Sequence, residues 1–339
     1  MEQSNTTLPS ETWANSSQSP APMGAPYMAA AMLLFATFLV GLVGNGLYLW
    51  VLVMKMKRTV TTIWFLHLVS CSVLFTLLIP FFTVYILLGF HWVFGTGMCK
   101  VLSACTHLGM FSSAFLLALI SLDRYTFTCH PIWSRRYRTM SWAQKLVAGV
   151  WLCSFALSVP YLVFQETSEL ESSRITCVDY YDTSRDQDRA ETQAWRQHTH
   201  VVLFLVRFLL GFLLPFCIIA GCYSQMGLKM MEKGLARSGK PFKVMVAAVV
   251  SFFFGWLPYH LYYGLTLFKD LSKSLMGICQ LICIAMFCFN VCFTPILYLF
   301  VGQTFHQVLR TSLFTLVKTA FYEDLDSDGV GPDSSGRIR

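Results

Sequence analysis

Seven long apolar segments, separated by short polar intervals, set the pattern of this chain. Each is long enough to cross a bilayer as a helix, since about 20 apolar residues span the hydrocarbon core. The longest polar interval, residues 165–199, leaves no room for a large soluble domain. We therefore predict an all-α membrane protein, a seven-transmembrane helix bundle over residues 28–301. The predicted spans are 28–54, 62–88, 101–122, 143–164, 200–228, 243–268 and 275–301.

Composition agrees with a membrane bundle and disagrees with the soluble alternative. A length of 339 residues would by itself allow two soluble domains. However, 55% of the residues are hydrophobic, only 13% are charged, and the mean hydropathy is +0.55. This composition is more apolar than that of soluble domains, which keep a polar surface.

Basic residues concentrate in alternate loops and so predict the orientation. The N-terminus is expected outside the plasma membrane and the C-terminus inside. The formal net charge of +7 is then an excess on the cytoplasmic face, and we expect no binding to nucleic acid. The basic loops carry Lys55, Lys57 and Arg58; Arg135, Arg136 and Arg138; and Lys229, Lys233, Arg237, Lys240 and Lys243.

The N-terminal tail, residues 1–27, is polar and lacks the pattern of a signal peptide. We expect an extracellular tail that is glycosylated at the two sequon residues Asn5 and Asn15. Nine of the twelve cysteines fall within the predicted spans, where a free thiol behaves as a small hydrophobe, and Cys129 follows the third span on the side of the basic loops. Cys99 and Cys177 lie outside the spans, on the side assigned to an oxidising compartment. We predict a disulfide between them.

Five prolines interrupt five different spans. Each removes a helical hydrogen bond and kinks or loosens the backbone there. Such breaks favour a protein that changes shape, although membrane helices also tolerate proline in general. These prolines are Pro80, Pro160, Pro215, Pro258 and Pro295.

Arg207 is a basic residue well inside the outer half of the fifth span. We interpret it as a cation that faces the bundle interior and receives a carboxylate from a ligand; a snorkelling arginine is the alternative. Polar and aromatic residues of spans three and six would line the same outward-facing pocket, with interhelical packing as the alternative for each. The predicted ligand-binding residues are Arg207, Thr106, His107, Met110, Trp256, Tyr259, His260 and Tyr263.

The triplet Asp123-Arg124-Tyr125 ends the third span on the side of the basic loops. Charges at a membrane edge are costly and mark functional sites. We interpret Asp123 and Arg124 as a charge lock that opens towards a cytoplasmic partner.

Together with this triplet, motifs in the other spans resemble the rhodopsin-like, or class A, G-protein-coupled receptors. They are Gly44-Asn45, Trp151, Pro215 with Tyr223, Phe252 with Trp256-Leu257-Pro258, and Pro295 with Tyr298. Four further stretches are similar to the chemoattractant branch, which includes formyl-peptide and complement anaphylatoxin receptors. These are Trp92-Val93-Phe94-Gly95, His130-Pro131-Ile132-Trp133, the run 207–212 and the run 238–243.

The resemblance implies a receptor that binds an extracellular ligand and activates a heterotrimeric G protein, of the inhibitory class in this branch. It implies a short amphipathic eighth helix over 302–318, a disordered cytoplasmic tail over 319–339, and arrestin as a further partner. Receptors for a lipid carboxylate and a non-signalling scavenger receptor are the alternatives. The implied coupling and switch residues are Asp123, Arg124, Tyr125, Tyr223, Phe252, Trp256, Pro258, Pro295 and Tyr298.

The chain departs from the family at its sodium site. The family has an aspartate where this chain has Ser72 and an asparagine where it has Thr294, and these act with residues that match Ser113 and Asn290. A monovalent cation inside the bundle needs a carboxylate to offset its desolvation. We therefore expect a degenerate site and weak or absent sodium sensitivity. The spans also lack the residue sets of enzymes and the internal repeats of transporters, so no cofactor or catalytic residue is expected.

Overall fold

The computed structural model describes residues 24–169, 174–179, 190–232, 240–268 and 271–301. The sequons, the predicted eighth helix and the C-terminal tail lie outside these residues. The helices are α1 (Ala25–Met54), α2 (Val60–Leu87), α3 (Gly95–Cys129), α4 (Pro131–Tyr137), α5 (Met140–Phe164), α6 (Ala190–Phe208), α7 (Leu214–Glu232), α8 (Lys240–Leu265) and α9 (Lys273–Val301). The strands are β1 (Gln165–Glu169) and β2 (Ile175–Asp179).

The predicted seven-helix bundle is confirmed. Within the described residues, six helical stretches are long and apolar enough to cross a membrane, and α6 and α7 form one of them, Thr192–Lys229. The seventh membrane helix is α8. α3 is the central helix: it packs against α2, α5 and α7, while α1 and α9 pack together at the far side of α2.

One of the predicted prolines, Pro215, lies beside an irregular turn of its helix. Pro80, Pro160 and Pro258 lie inside α2, α5 and α8. Pro215 follows a π-helical turn, Leu209–Leu213, in which the N–H of Leu214 donates to the carbonyl of Leu209. The wider turn accommodates the ring, which would clash with a carbonyl in an uninterrupted α-helix.

A β-hairpin lies over one end of the bundle. β1 pairs antiparallel with β2, with Thr167 opposite Cys177. The predicted disulfide Cys99–Cys177 is present, with 5.7 Å between the Cα atoms, and ties β2 to the first turn of α3. We call this end of the bundle the hairpin end. The opposite end of α3 carries Asp123, and we call it the Asp123 end.

The fifth membrane helix begins earlier than predicted. We expected its start near residue 200, yet α6 begins at Ala190. Arg196 and His200, four residues apart on one face, are both buried. His200 Nε2 lies 3.3 Å from Thr266 Oγ1, just beyond α8. Tertiary contacts therefore stabilise the polar part of the helix, whereas hydropathy reports only where the apolar stretch begins.

Candidate functional site

Arg207 lies in the last turn of α6 and points into the bundle. Its side chain is only 1% exposed. Nη1 donates to Tyr259 Oη at 3.2 Å and lies 3.4 Å from His107 Nε2. The prediction that this cation faces the interior therefore fits the structure, which brings residues of α3, α6 and α8 together around one guanidinium.

Hydrogen bonding assigns the tautomer of His107. Its Nδ1 lies 2.8 Å from the carbonyl oxygen of Ser103, which can only accept, so Nδ1 carries the proton. Nε2 then presents a lone pair, which accepts from Tyr259 Oη at 3.0 Å. The ring stacks on Tyr161 at 3.3 Å between centroids. A neutral imidazole thus lies beside Arg207 and adds no second positive charge.

Aromatic rings cover the guanidinium on the side of α8. Arg207 Cζ lies 4.0 Å from the Tyr263 ring centroid and 5.3 Å from that of Tyr259. The two rings contact each other at 4.7 Å, and Tyr259 contacts Trp256 at 5.4 Å. A desolvated cation over a ring face is stabilised by about 2 kcal/mol. Tyr259 and Tyr263 therefore form an aromatic wall that covers Arg207.

A cavity of about 420 Å³ lies on the other side of this wall, beneath the hairpin. Four of the predicted ligand-binding residues line it, namely Thr106, Trp256, Tyr259 and Tyr263. The other four, Arg207, His107, Met110 and His260, do not line this cavity. The predicted pocket is therefore divided into an open cavity and a covered cationic cluster, with Tyr259 and Tyr263 between them.

The cavity has a polar rim and an apolar, aromatic floor. Its rim includes Gln165 and Asp179 from the hairpin, together with Gln280 from α9. Its floor includes Phe75, Trp256 and Phe287, whose rings contact one another at 5.5–6.4 Å. The described residues that line it contain one carboxylate, Asp179, and no lysine or arginine. This composition suits an apolar group that also carries a positive charge.

Sequence reasoning missed the hairpin residues of the rim. The predicted disulfide could have identified them. Cys177 ties β2 to α3, and Asp179, two residues further on, projects to the same face of the strand as Cys177. Gln165 lies directly opposite Asp179 in the hairpin.

His260 and Met110 are packing residues in this structure. Both are 1% exposed. The His260 ring contacts Phe208, Phe212 and Tyr259, and neither ring nitrogen has a hydrogen-bond partner among the described residues. Met110 lies against Gly211 in the π-helical turn. Neither side chain is positioned for a ligand in the open cavity.

At the Asp123 end, the expected pair between Asp123 and Arg124 is corrected. Among the described residues, the ion pair of Asp123 is with Arg138: Nε lies 2.7 Å from Oδ1 and Nη2 lies 3.1 Å from Oδ2. Arg124 Nη2 instead donates to Thr61 Oγ1 at 3.0 Å. Adjacent residues of a helix do not face each other. Asp123 therefore meets α4's terminus, while Arg124 points towards α2.

The other switch residues named from the resemblance lie at different levels of the bundle. Phe252 and Trp256 are buried, with ring centroids 6.2 Å apart, on the N-terminal side of Pro258 in α8. Tyr125 Oη lies 3.3 Å from His130 Nε2. Tyr223 is half-buried. The side chains of Thr294, Pro295 and Tyr298 lie outside the part of the chain whose side chains are described.

Three of the four residues named for the degenerate sodium site have described surroundings. Ser113 Oγ donates to the carbonyl of Met110 within its own helix at 3.0 Å, and Ser72 is buried. Asn290 lies close to Gly255, where a Cβ would come within 2.5 Å of its Nδ2. These are neutral groups, and two of them are already engaged in packing or helical hydrogen bonds.

The family follows from this architecture and is shown directly by comparison. Residues 44–298 match the family described as 7 transmembrane receptor (rhodopsin family). The chain therefore belongs to the rhodopsin family of G-protein-coupled receptors, as the sequence motifs predicted. It is a multi-pass plasma-membrane receptor of a family whose partners are extracellular ligands and G proteins, and it is not an enzyme.

Particular relatives refine this placement. The chain is 45% identical to Probable G-protein coupled receptor 33 of Homo sapiens over 310 residues, covering 91% of this chain and 92% of that protein. It is 43% identical to the protein of the same name from Mus musculus over 300 residues, covering 88% of each. It is 37% identical to Chemerin-like receptor 1 of Bos taurus over 296 residues, covering 84% and 80%. These relatives agree with the predicted chemoattractant branch.

Proposed function

We propose that this receptor binds a chemoattractant-type peptide at the hairpin end and activates a G protein of the inhibitory class at the Asp123 end. The observation that carries the proposal is the pairing of two subsites. One is an open cavity with Asp179 at its rim, and the other is a buried cation, Arg207, behind two tyrosines. In this proposal the hairpin end faces outside, as the distribution of basic loops indicates.

The two subsites define the chemistry of the ligand. An apolar residue with a positive charge nearby fits the aromatic floor and Asp179, and a free carboxylate fits Arg207. A peptide with a basic segment and a free C-terminus carries both groups. A lipid carboxylate carries only the second and is the less favoured ligand. Because Tyr263 covers Arg207 at 4.0 Å, the carboxylate reaches the guanidinium only after that ring has moved.

Displacement of the tyrosine wall gives a route from ligand to switch. Tyr259 contacts Trp256, and Trp256 contacts Phe252, which lies one turn closer to the N-terminus of α8. Pro258 weakens the helix at this level. A ligand that binds better to the displaced arrangement shifts the bundle towards it by its difference in affinity for the two arrangements. Arg124 is proposed to respond at the far end.

A non-signalling scavenger receptor is the second candidate function. It would share the bundle and the cavity but would not activate a G protein. The unaltered triplet Asp123-Arg124-Tyr125 favours signalling.

GTP exchange and cyclic-AMP assays on cells that express the full chain separate these two functions. In the signalling receptor, Arg124→Ala abolishes basal or peptide-stimulated exchange. Arg136→Ala, which alters an exposed arginine of α4, serves as the matched control and leaves exchange unchanged. Peptide uptake without exchange in the unmutated chain would instead establish the scavenger.

Matched peptides with a free or an amidated C-terminus test the cationic subsite. Arg207→Ala should weaken the free-acid peptide by about tenfold to a hundredfold, the equivalent of one charge-assisted hydrogen bond. It should leave the amide unaffected. Equal losses for the two peptides would contradict a carboxylate at Arg207 and indicate a general packing role.

A further inference from the structure

The Asp123 end contains a four-residue network of which the proposed switch uses only Arg124. It consists of Thr61 of α2, Asp123 and Arg124 of α3, and Arg138, the residue that follows α4. Arg138 forms a two-point contact with Asp123, Nε to Oδ1 at 2.7 Å and Nη2 to Oδ2 at 3.1 Å. A planar guanidinium that meets a carboxylate at two points is fixed in orientation as well as in distance.

Thr61 connects this pair to Arg124. Its hydroxyl oxygen accepts from Arg138 Nη2 at 2.8 Å and from Arg124 Nη2 at 3.0 Å. A hydroxyl oxygen has two lone pairs, so these two donors use its full acceptor capacity. Arg138 and Arg124 are thereby held at the same atom, although they are like-charged. The carboxylate of Asp123 offsets this repulsion.

Burial makes the arrangement sensitive to the loss of any one member. The side chain of Asp123 is 8% exposed and that of Arg138 is 23% exposed. An ion pair sheltered in this way is screened less than one on the open surface. Removal of Arg138 would leave a buried carboxylate without its ion-pair partner, which is strongly unfavourable.

The same arginine sets the position of α4. Arg138 caps α4, and its backbone N–H donates to the carbonyl of Ser134. Its guanidinium also lies 5.7 Å from the Phe127 ring centroid. Because α4 has only seven residues, a side chain anchored at its last turn restrains the whole helix.

We propose that Arg138 is a positioning residue for the receptor switch. It holds Asp123 directly and Arg124 through Thr61, and so stabilises the resting arrangement. Its departure from Asp123 removes the tether of α4 and the shared bond that keeps Arg124 at α2. This inference rests on the proposed G-protein coupling, and it replaces the single pair Asp123–Arg124 with a lock that spans three helices.

Basal GTP exchange at equal surface expression tests the lock without any ligand. Arg138→Ala should raise basal exchange about two- to fivefold, the population shift that follows the loss of one partly sheltered ion pair. Arg138→Lys keeps the charge but loses the two-point contact, so its exchange should be intermediate. Arg136→Ala, in the same short helix, should leave the baseline unchanged.

A double-mutant comparison shows whether the pair acts as a unit. Asp123→Ala should raise exchange as Arg138→Ala does, and the double variant should be no more active than the stronger single variant. Multiplicative effects of the two changes, or an unchanged baseline in both Arg138 variants, would overturn the inference.

A second readout does not require coupling to a G protein. Ile132 of α4 is 86% exposed, so Ile132→Cys offers a site for a nitroxide, with the unsubstituted chain as the labelling background. Arg138→Ala should increase the mobility of this label. If no variant of the chain shows exchange but the mobility rises, the coupling fails while the tether stands. If the mobility does not change, the tether is wrong. If the mobility rises in a receptor whose baseline is unmoved, the role in switching is wrong.

Discussion

At the residue scale, Arg207 shows what a sequence can indicate about a site and where it stops. A single cation in an apolar run needs polar contacts inside the bundle. The sequence predicts this, because placing a charge in hydrocarbon is costly. The residues that make these contacts are His107 and Tyr259. Their position beside Arg207 depends on the relative rotation of three helices, which no local pattern encodes. The cover by Tyr263 is likewise a tertiary result.

The hydroxyl of Tyr259 is the centre of this cluster, since it contacts both Arg207 and His107. Tyr259→Phe keeps the ring but leaves one buried donor and one buried acceptor without this partner. We expect the free energy of unfolding to fall by about 1–3 kcal/mol. Thermal unfolding in detergent measures the change. Tyr137→Phe, at an exposed tyrosine of α4, is the matched control and should not shift the melting temperature.

At the scale of elements, the boundaries predicted from hydropathy were good where lipid decides them and poor where protein contacts do. α6 begins ten residues before its apolar stretch because Arg196 and His200, on one of its faces, are buried. The hairpin and the short helix α4 lie in polar intervals that hydropathy cannot interpret. The break at Pro215 was foreseen, but its form, a π-helical turn, was not.

Close approach of α8 and α9 depends on a glycine next to Trp256. A Cβ at Gly255 would lie 2.5 Å from Asn290 Nδ2 and 3.0 Å from its Cβ and Cγ. Gly255→Ala therefore forces Asn290 or the whole of α9 to shift, and we expect a loss of about 1–3 kcal/mol of stability. Basal exchange should change as well, because the contact lies at the floor of the cavity.

Gly149→Ala is the control for this substitution. Gly149 lies inside α5 with no atom within 4 Å of its Cβ position, so alanine should be neutral or slightly stabilising there. Thermal unfolding of the two variants side by side separates close approach from helix propensity. Equal melting temperatures would show that the α8–α9 contact is not restrictive.

At the scale of the whole molecule, the seven-helix architecture was predictable because the bilayer imposes it: every backbone group must be satisfied within its own helix. The ligand cavity was only partly predictable. Its walls come from α1, α2, α3, α6, α8, α9 and the hairpin, and which residues converge depends on how all of these pack. The two differences from the prediction, the division of the ligand pocket and the ion pair of Asp123 with Arg138, both arise from contacts between different helices.

Sodium response is a property of the whole bundle, because it reports the balance between its two arrangements. Ser72 offers a hydroxyl where the family resemblance calls for a carboxylate, and the hydroxyl of Ser113 already donates within α3. Neutral oxygens alone do not offset the desolvation of a monovalent cation. Replacing sodium by potassium at constant ionic strength should therefore leave basal GTP exchange and the melting temperature unchanged. A clear fall in exchange with sodium alone would mean that other groups supply the missing charge and that a bound cation also stabilises the resting state.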